Sequence, residues 1–167
     1  MANFVMNKIE FSGEQKCVEK VLSFIRGDES DEQYIDFNKI IPMPDNIFRG
    51  DLGAKEREIY GNNNWYDWSK GHWGTKWNAF NQTIEDNTIC FYTSWSMPYP
   101  IYEKLAKICY ENNVTFEGEW VNEDWSSDSG SFETMEDVLI KCDDETEEEH
   151  RVRCISLCGI DPMEDEE

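Results

Sequence analysis

The chain switches repeatedly between two hydrophobic periods. Asn3 to Phe11 (NFVMNKIEF) sets Phe4, Val5, Ile9 and Phe11 in loose alternation, the pattern of a half-buried strand. Val18, Val21, Leu22 and Ile25 then fall at i, i+3, i+4 and i+7, predicting an amphipathic helix with Ser12 as its N-cap and Gly27-Asp28 as its end. Tyr34 to Ile41 (YIDFNKII) predicts a second strand, stopped by Pro42 and Pro44, which cannot join a ladder. Thr88 to Trp95 (TICFYTSW) is rich in β-branched and aromatic residues and predicts a third. Ile101, Leu105, Ile108 and Cys109 restore the helical period, and Val114 to Val121 (VTFEGEWV) alternates as a fourth strand.

Strand, helix, strand, long insertion, strand, helix, strand is an α+β order. It is the split β-α-β pattern of a ferredoxin-like sandwich, both helices covering one face of an antiparallel sheet. The expected organisation is a ferredoxin-like domain over residues 1–125, with a Trp-rich insertion at 42–82. An acidic C-terminal extension, 126–158, packs on it, with a strand at 130–134 or 138–142 and a helix near 145–157. Residues 159–167 are expected to fray. A structureless connection of the insertion's length is unusual in a compact domain, which predicts short helices at 54–60 and 73–80.

The stretches IIPMP (Ile40–Pro44), WGTKWNA (Trp73–Ala79), FYTSWSMPYPI (Phe91–Ile101) and VTFEGEW (Val114–Trp120), in this order, resemble the Api92-like family. Its members carry a YubB-type ferredoxin-like domain. The resemblance covers roughly residues 1–125 and leaves the acidic extension outside the pattern. It implies a phage- or plasmid-borne accessory protein and supplies no catalytic residues. It also suggests a role for the tryptophans: a segment crossing the exposed sheet face, with Trp73 and Trp77 four apart on one helical face as plugs. Trp65 and Trp68, set among Asn and Asp, are then expected to be half exposed, and Gly71 and Gly74 to provide the turns.

Charge changes the picture more than any motif. The chain carries 36 acidic and 15 basic residues, a formal net charge of −21. Residues 1–113 hold 17 acids and 12 bases, whereas 114–167 hold 19 acids and 3 bases. Direct binding to a nucleic-acid backbone is disfavoured by so few cations, while attraction to a basic protein is favoured. The predicted partner-binding face is Glu117, Glu119, Glu123, Asp124, Asp128, Asp143, Asp144, Glu145, Glu147, Glu148 and Glu149. The expected partner is a basic host protein such as a nuclease or other defence component, met through a surface resembling nucleic-acid phosphate. The bland alternative is a solvated face that keeps the chain soluble. The chemical alternative is a small-ligand or nucleotide sponge, in which Trp65, Trp68, His72 and Lys76 form a stacking loop.

No P-loop, GxGxxG, GxSxG or HExxH occurs, so neither an enzyme nor a cofactor is expected. His72 has only Asp67 nearby as a conceivable acid/base partner. His150, Cys154 and Cys158 share a four-residue spacing, with Cys142 as a conceivable fourth ligand. Val152, Ile155 and Leu157 between them point instead to amphipathic burial, and no metal is expected. Six cysteines with no recognisable leader and no long apolar run predict reduced thiols in a cytoplasm, with no membrane contact, and the resemblance implies that the cytoplasm is a bacterial host's.

Overall fold

The computed structural model describes residues 3–123 and 128–163. The elements run β1 (Phe4–Gly13), α1 (Gln15–Ile25), α2 (Phe37–Ile40), α3 (Ala54–Tyr60), α4 (Trp65–His72), β2 (Phe80–Glu85), β3 (Thr88–Ser94), α5 (Tyr99–Glu111), β4 (Val114–Asn122), β5 (Ser129–Met135), β6 (Val138–Asp143) and α6 (Glu147–Cys158). Six strands form one antiparallel sheet in the order β2-β3-β1-β4-β5-β6. The first four have the ferredoxin-like arrangement, and β5 and β6 extend the same sheet. Both alternatives for an extra strand are therefore realised, and the acidic extension is integral to the sheet. Among the described residues no helix is long and apolar enough to cross a membrane.

Strand alternation separates the two faces. Val5, Ile9 and Phe11 of β1, Ile89 and Phe91 of β3, and Phe116 and Trp120 of β4 bury against α1 and α5. The helices meet them with Val18, Val21 and Ile25, and with Ile101, Leu105 and Cys109. One polar group pins this core. Tyr102 donates its hydroxyl to Asn7 Oδ1 at 2.9 Å, and Asn7 Nδ2 donates to Thr93 Oγ1 at 3.0 Å.

Local expectations fail at three places, each for an identifiable reason. Ser12 is not the cap of α1, because β1 continues through it, paired with Thr115, and Glu14 takes the cap position. Tyr34–Ile41 is not a strand: Asp36 caps the short helix α2 by accepting from Asn38 N–H at 2.9 Å. Phe37 and Ile40, spaced three apart, both face the core. The backbone a ladder would satisfy is bound by side chains instead. Ile35 N–H donates to Gln82 Oε1 at 2.8 Å, and Phe37 N–H to Asn78 Oδ1 at 2.9 Å. The second strand is Phe80–Glu85, which begins inside the expected insertion at 42–82 and runs three residues past its end.

The tryptophans also exchange roles. The predicted helix at 54–60 is present, but the one expected at 73–80 is replaced by α4, capped by Asn64, which accepts from Asp67 N–H at 3.0 Å. Gly71 lies inside this helix. Gly74 turns the chain at φ +75, and a Cβ there would stand 2.8 Å from Pro100 Cδ. The buried pair is Trp68 and Trp73, not Trp73 and Trp77; Trp73 is 3% exposed and Trp77 37%. Trp73 lies edge-on to Phe37, which lies edge-on to Phe91, and its indole N–H donates to Ile41 C=O at 2.9 Å. Trp73 therefore extends the helix-side core and does not cross the opposite face. Trp65 is half buried, as expected.

Candidate functional site

The face opposite α1 and α5 is the candidate site. Its residues are the alternate positions of each strand: Lys8 and Glu10 of β1, Glu117 and Glu119 of β4, Ser131 and Glu133 of β5, Ile140 and Cys142 of β6. Register aligns them in rows. Glu10 pairs with Glu117, Glu117 with Glu133, and Glu133 with Ile140. The next row runs Lys8, Glu119, Ser131, Cys142. Adjacent strands lie about 4.8 Å apart, so three carboxylates repeat at that interval across the sheet. Lys8, Glu10, Glu117, Glu133, Ile140 and Arg153 are among the residues that line this open groove of about 400 Å³.

Helix α6 forms one wall, crossing β4, β5 and β1. Thr146 and Glu149 cap it reciprocally: Thr146 Oγ1 accepts from Glu149 N–H at 3.2 Å, and Glu149 Oε2 accepts from Thr146 N–H at 2.9 Å. Hydrogen bonds from the Glu145 backbone, and then from Thr146, hold the Glu149 carboxyl below the usual range. The buried positions of α6 are His150 and Cys154, while Val152 and Ile155 are exposed, contrary to the amphipathic reading.

A polar chain docks this helix. Arg153 donates to both oxygens of Asp144, each at 2.8 Å, and to Glu119 Oε2 at 3.1 Å. Those bonds, from Arg153 first and Ser129 second, hold the Asp144 carboxyl low against the opposing effect of burial. Ser129 donates to Asp144 Oδ2 at 2.7 Å, which leaves its oxygen to accept from His150 Nδ1, also at 2.7 Å. Cys154 Sγ lies 3.5 Å from His150 Nε2. The grouping resembles a nucleophile–base pair only in composition. Cys154 is fully buried, and desolvation pushes its thiol up to about 11, away from the thiolate a nucleophile needs.

The cysteines give an immediate test. Burial pushes Cys109 up to about 12, whereas Cys142 is exposed in the groove. Alkylation of the native protein near pH 8 should modify Cys142 first, and reach Cys109 and Cys154 only on unfolding. In denaturant without reductant, mass measurement should find six modified thiols. Equal rates for Cys154 and Cys142 in the native state would contradict the buried network. Among the described residues, no three His, Cys, Asp or Glu side chains converge as a metal site.

The predicted acidic residues divide into distinct environments. Glu117 faces the groove. Glu119 and Asp144 are both ion-paired with Arg153, which offsets one of their two charges. Glu145, Glu147 and Glu148 are exposed at the start of α6, with Glu148 3.9 Å from Arg151. Asp143 pairs with Lys141 at 2.7 Å on the helix side of the sheet. Glu123 accepts from Phe4 N–H at 2.8 Å, and Asp128 from the Trp120 indole N–H at 3.4 Å, both beyond the groove. Asp124 lies outside the described residues. Glu10, Arg153 and Lys8 belong to the site but were not singled out, because only strand register and helix docking bring them there.

The residues of the alternative loop are each engaged with different partners. Trp68 is buried and stacks on His72 at 4.3 Å, and His72 Nδ1 lies 2.8 Å from Trp68 C=O. Trp65 donates its indole N–H to Gly50 C=O at 3.0 Å. Lys76 lies over two other rings, Trp77 at 4.5 Å and Trp95 at 5.3 Å. Asp67 receives a hydrogen bond from Asn64 and sits 3.7 Å from Arg57.

No curated protein and no solved structure matches the chain significantly. Residues 72–161, more than half of the chain, match the family described as "Ferredoxin-like domain in Api92-like protein". The match runs through β5, β6 and α6, so the acidic extension lies inside the family domain rather than outside it. Nor does the chain fray at once after residue 158, since Arg151 binds Asp161 at 2.6 Å. This chain belongs to the Api92-like family and carries its ferredoxin-like domain.

Proposed function

We propose that the protein is a non-enzymatic accessory protein of a phage or other mobile element, acting in the cytoplasm of a bacterial host. It binds and inhibits a host protein with a basic surface, such as a nuclease or defence component, through the acidic groove. The observation that carries this reading is the row Glu10, Glu117, Glu133 on three adjacent strands. Like charges directly opposite one another destabilise a sheet, by up to about 1 kcal/mol per pair. Solubility alone does not call for such a row, because interspersed charges achieve it without the repulsion. A partner's Lys and Arg side chains would turn that repulsion into attraction. Carboxylates repeated at about the strand spacing also offer a phosphate-binding cleft a regular anionic surface.

The test is capture of a host partner from lysate, followed by measurement with the purified pair. Association should weaken as salt shortens the screening length, already about 8 Å at physiological ionic strength. Neutralising one exposed carboxylate should change affinity by no more than about 1 kcal/mol. The triple change Glu10→Gln, Glu117→Gln, Glu133→Gln should act chiefly by slowing association, while stability holds or rises slightly. An affinity indifferent to both salt and the triple change would reduce the face to a solubility device.

A further inference from the structure

The two edges of the sheet are finished differently. Edge strand β2 is protected: its register shifts between Phe80 and Thr83, Asn81 adopts φ +48, and Gln82 is bonded to both backbone groups of Ile35. Edge strand β6 has none of these devices. Its register with β5 is continuous from Val138 to Asp143, and it contains neither proline nor glycine. Alternate residues of such a strand turn N–H and C=O outward, and among the described residues no strand pairs with them. Its one lysine does not guard the edge. The Lys141 ammonium pairs with Asp143 and lies 5.0 Å from the centre of the Trp120 ring, on the helix side.

On the groove side this edge is apolar. Met135 and Val138, which pair at the end of the β5–β6 hairpin, are 61% and 57% exposed, and Ile140 beside them is also exposed. Glu133 stands directly across from Ile140, with Glu117 and Glu10 in line behind it. We propose that an extended, basic segment of the partner adds to β6 as a seventh strand, its Lys and Arg side chains lying over the open face. This rests on the functional reading above and names how the partner is held.

The added strand would lie about two strand spacings, roughly 9.6 Å, from β5. An extended Arg or Lys and an extended Glu133 bridge that distance between them. The methylene stem of the basic side chain covers Val138 and Ile140 while its charged end meets the carboxylates. Backbone pairing supplies affinity and the alternate side chains supply selection, as in other strand-addition complexes. Charge disfavours a second copy as the occupant. Joining two β6 edges would bring together Glu136, Asp137, Asp143 and Asp144 of two chains that each carry −21.

The test uses a labelled nine-residue peptide alternating Thr with Arg or Lys, added to the full-length protein at low salt. Two further peptides carry backbone N-methyl groups, one on every basic residue and the other on every threonine. Only one set of amides faces β6, so one methylated peptide should bind at least about tenfold more weakly and the other like the parent. Amide exchange over residues 138–143 should slow when the parent peptide binds. Equal binding of all three peptides, without protection of β6, would overturn strand addition and leave the acidic-face reading standing. Failure of the parent to bind at all would count against both. Protection of β6 that is present without peptide and fades on dilution would assign the edge to a second copy.

Discussion

Trp73→Ala should destabilise the domain by about 3–5 kcal/mol, the usual cost of emptying a large buried aromatic site. Three contacts disappear together: the edge of Phe37, the edge of Trp68, and the indole donation to Ile41 C=O. The last leaves a carbonyl without that donor, which adds to the cavity term. Trp77→Ala, four residues on, should cost about 1 kcal/mol or less, since surface substitutions away from special features are usually small. Denaturant midpoints of the two variants, at unchanged slope, make the comparison. Equal losses would mean that Trp77 is as much a part of the core as Trp73.

The same pair shows where sequence stops being informative. A spacing of four places two side chains on one face only if the intervening backbone is helical, and Gly74 at φ +75 breaks the helix between them. The strands and helices with strong periodicity, β1, α1, β3, α5 and β4, were legible because burial on one face writes the period directly. β2 was not, because an edge strand with four polar residues and no buried position carries no such period. Nor was α2, whose first N–H is bound by Asn78 and whose preceding residue Ile35 is held by Gln82, side chains 41 and 47 positions away. At the site, the concentration of acids was plain, but its division was not. Glu117 and Glu119 are two residues apart and share a face, yet one is free in the groove and the other is held by Arg153. Glu10 belongs to the groove only because β1 lies beside β4, a fact of topology that no local window contains.

Arg153→Met should cost about 2–3 kcal/mol at neutral pH. That lies at or below the about 3–5 kcal/mol of breaking a fully buried pair, because the guanidinium keeps some solvent contact. What remains is Asp144, whose carboxylate is largely buried and loses both Arg153 bonds while keeping only Ser129. The pH dependence has a definite sign. In the native protein the Asp144 carboxyl is held below its unfolded value of about 3.9, so the stabilisation is complete above about pH 4. It is lost as pH falls through the lower, folded value. The gap between wild type and Arg153→Met should therefore be widest near pH 7 and close in acid. Without the guanidinium, burial raises the Asp144 carboxyl instead, so closure should begin above pH 4. Adding Asp144→Asn to Arg153→Met should recover part of the loss, because the uncompensated charge is gone. Urea midpoints between pH 3 and 7 give the comparison, and amide exchange along α6 locates the damage. A loss under about 0.5 kcal/mol that does not vary with pH would make this an ordinary surface pair. Either way, Glu10, Glu117 and Glu133 stand on the sheet itself, so a folded Arg153→Met variant should still bind a basic partner in a salt-sensitive manner.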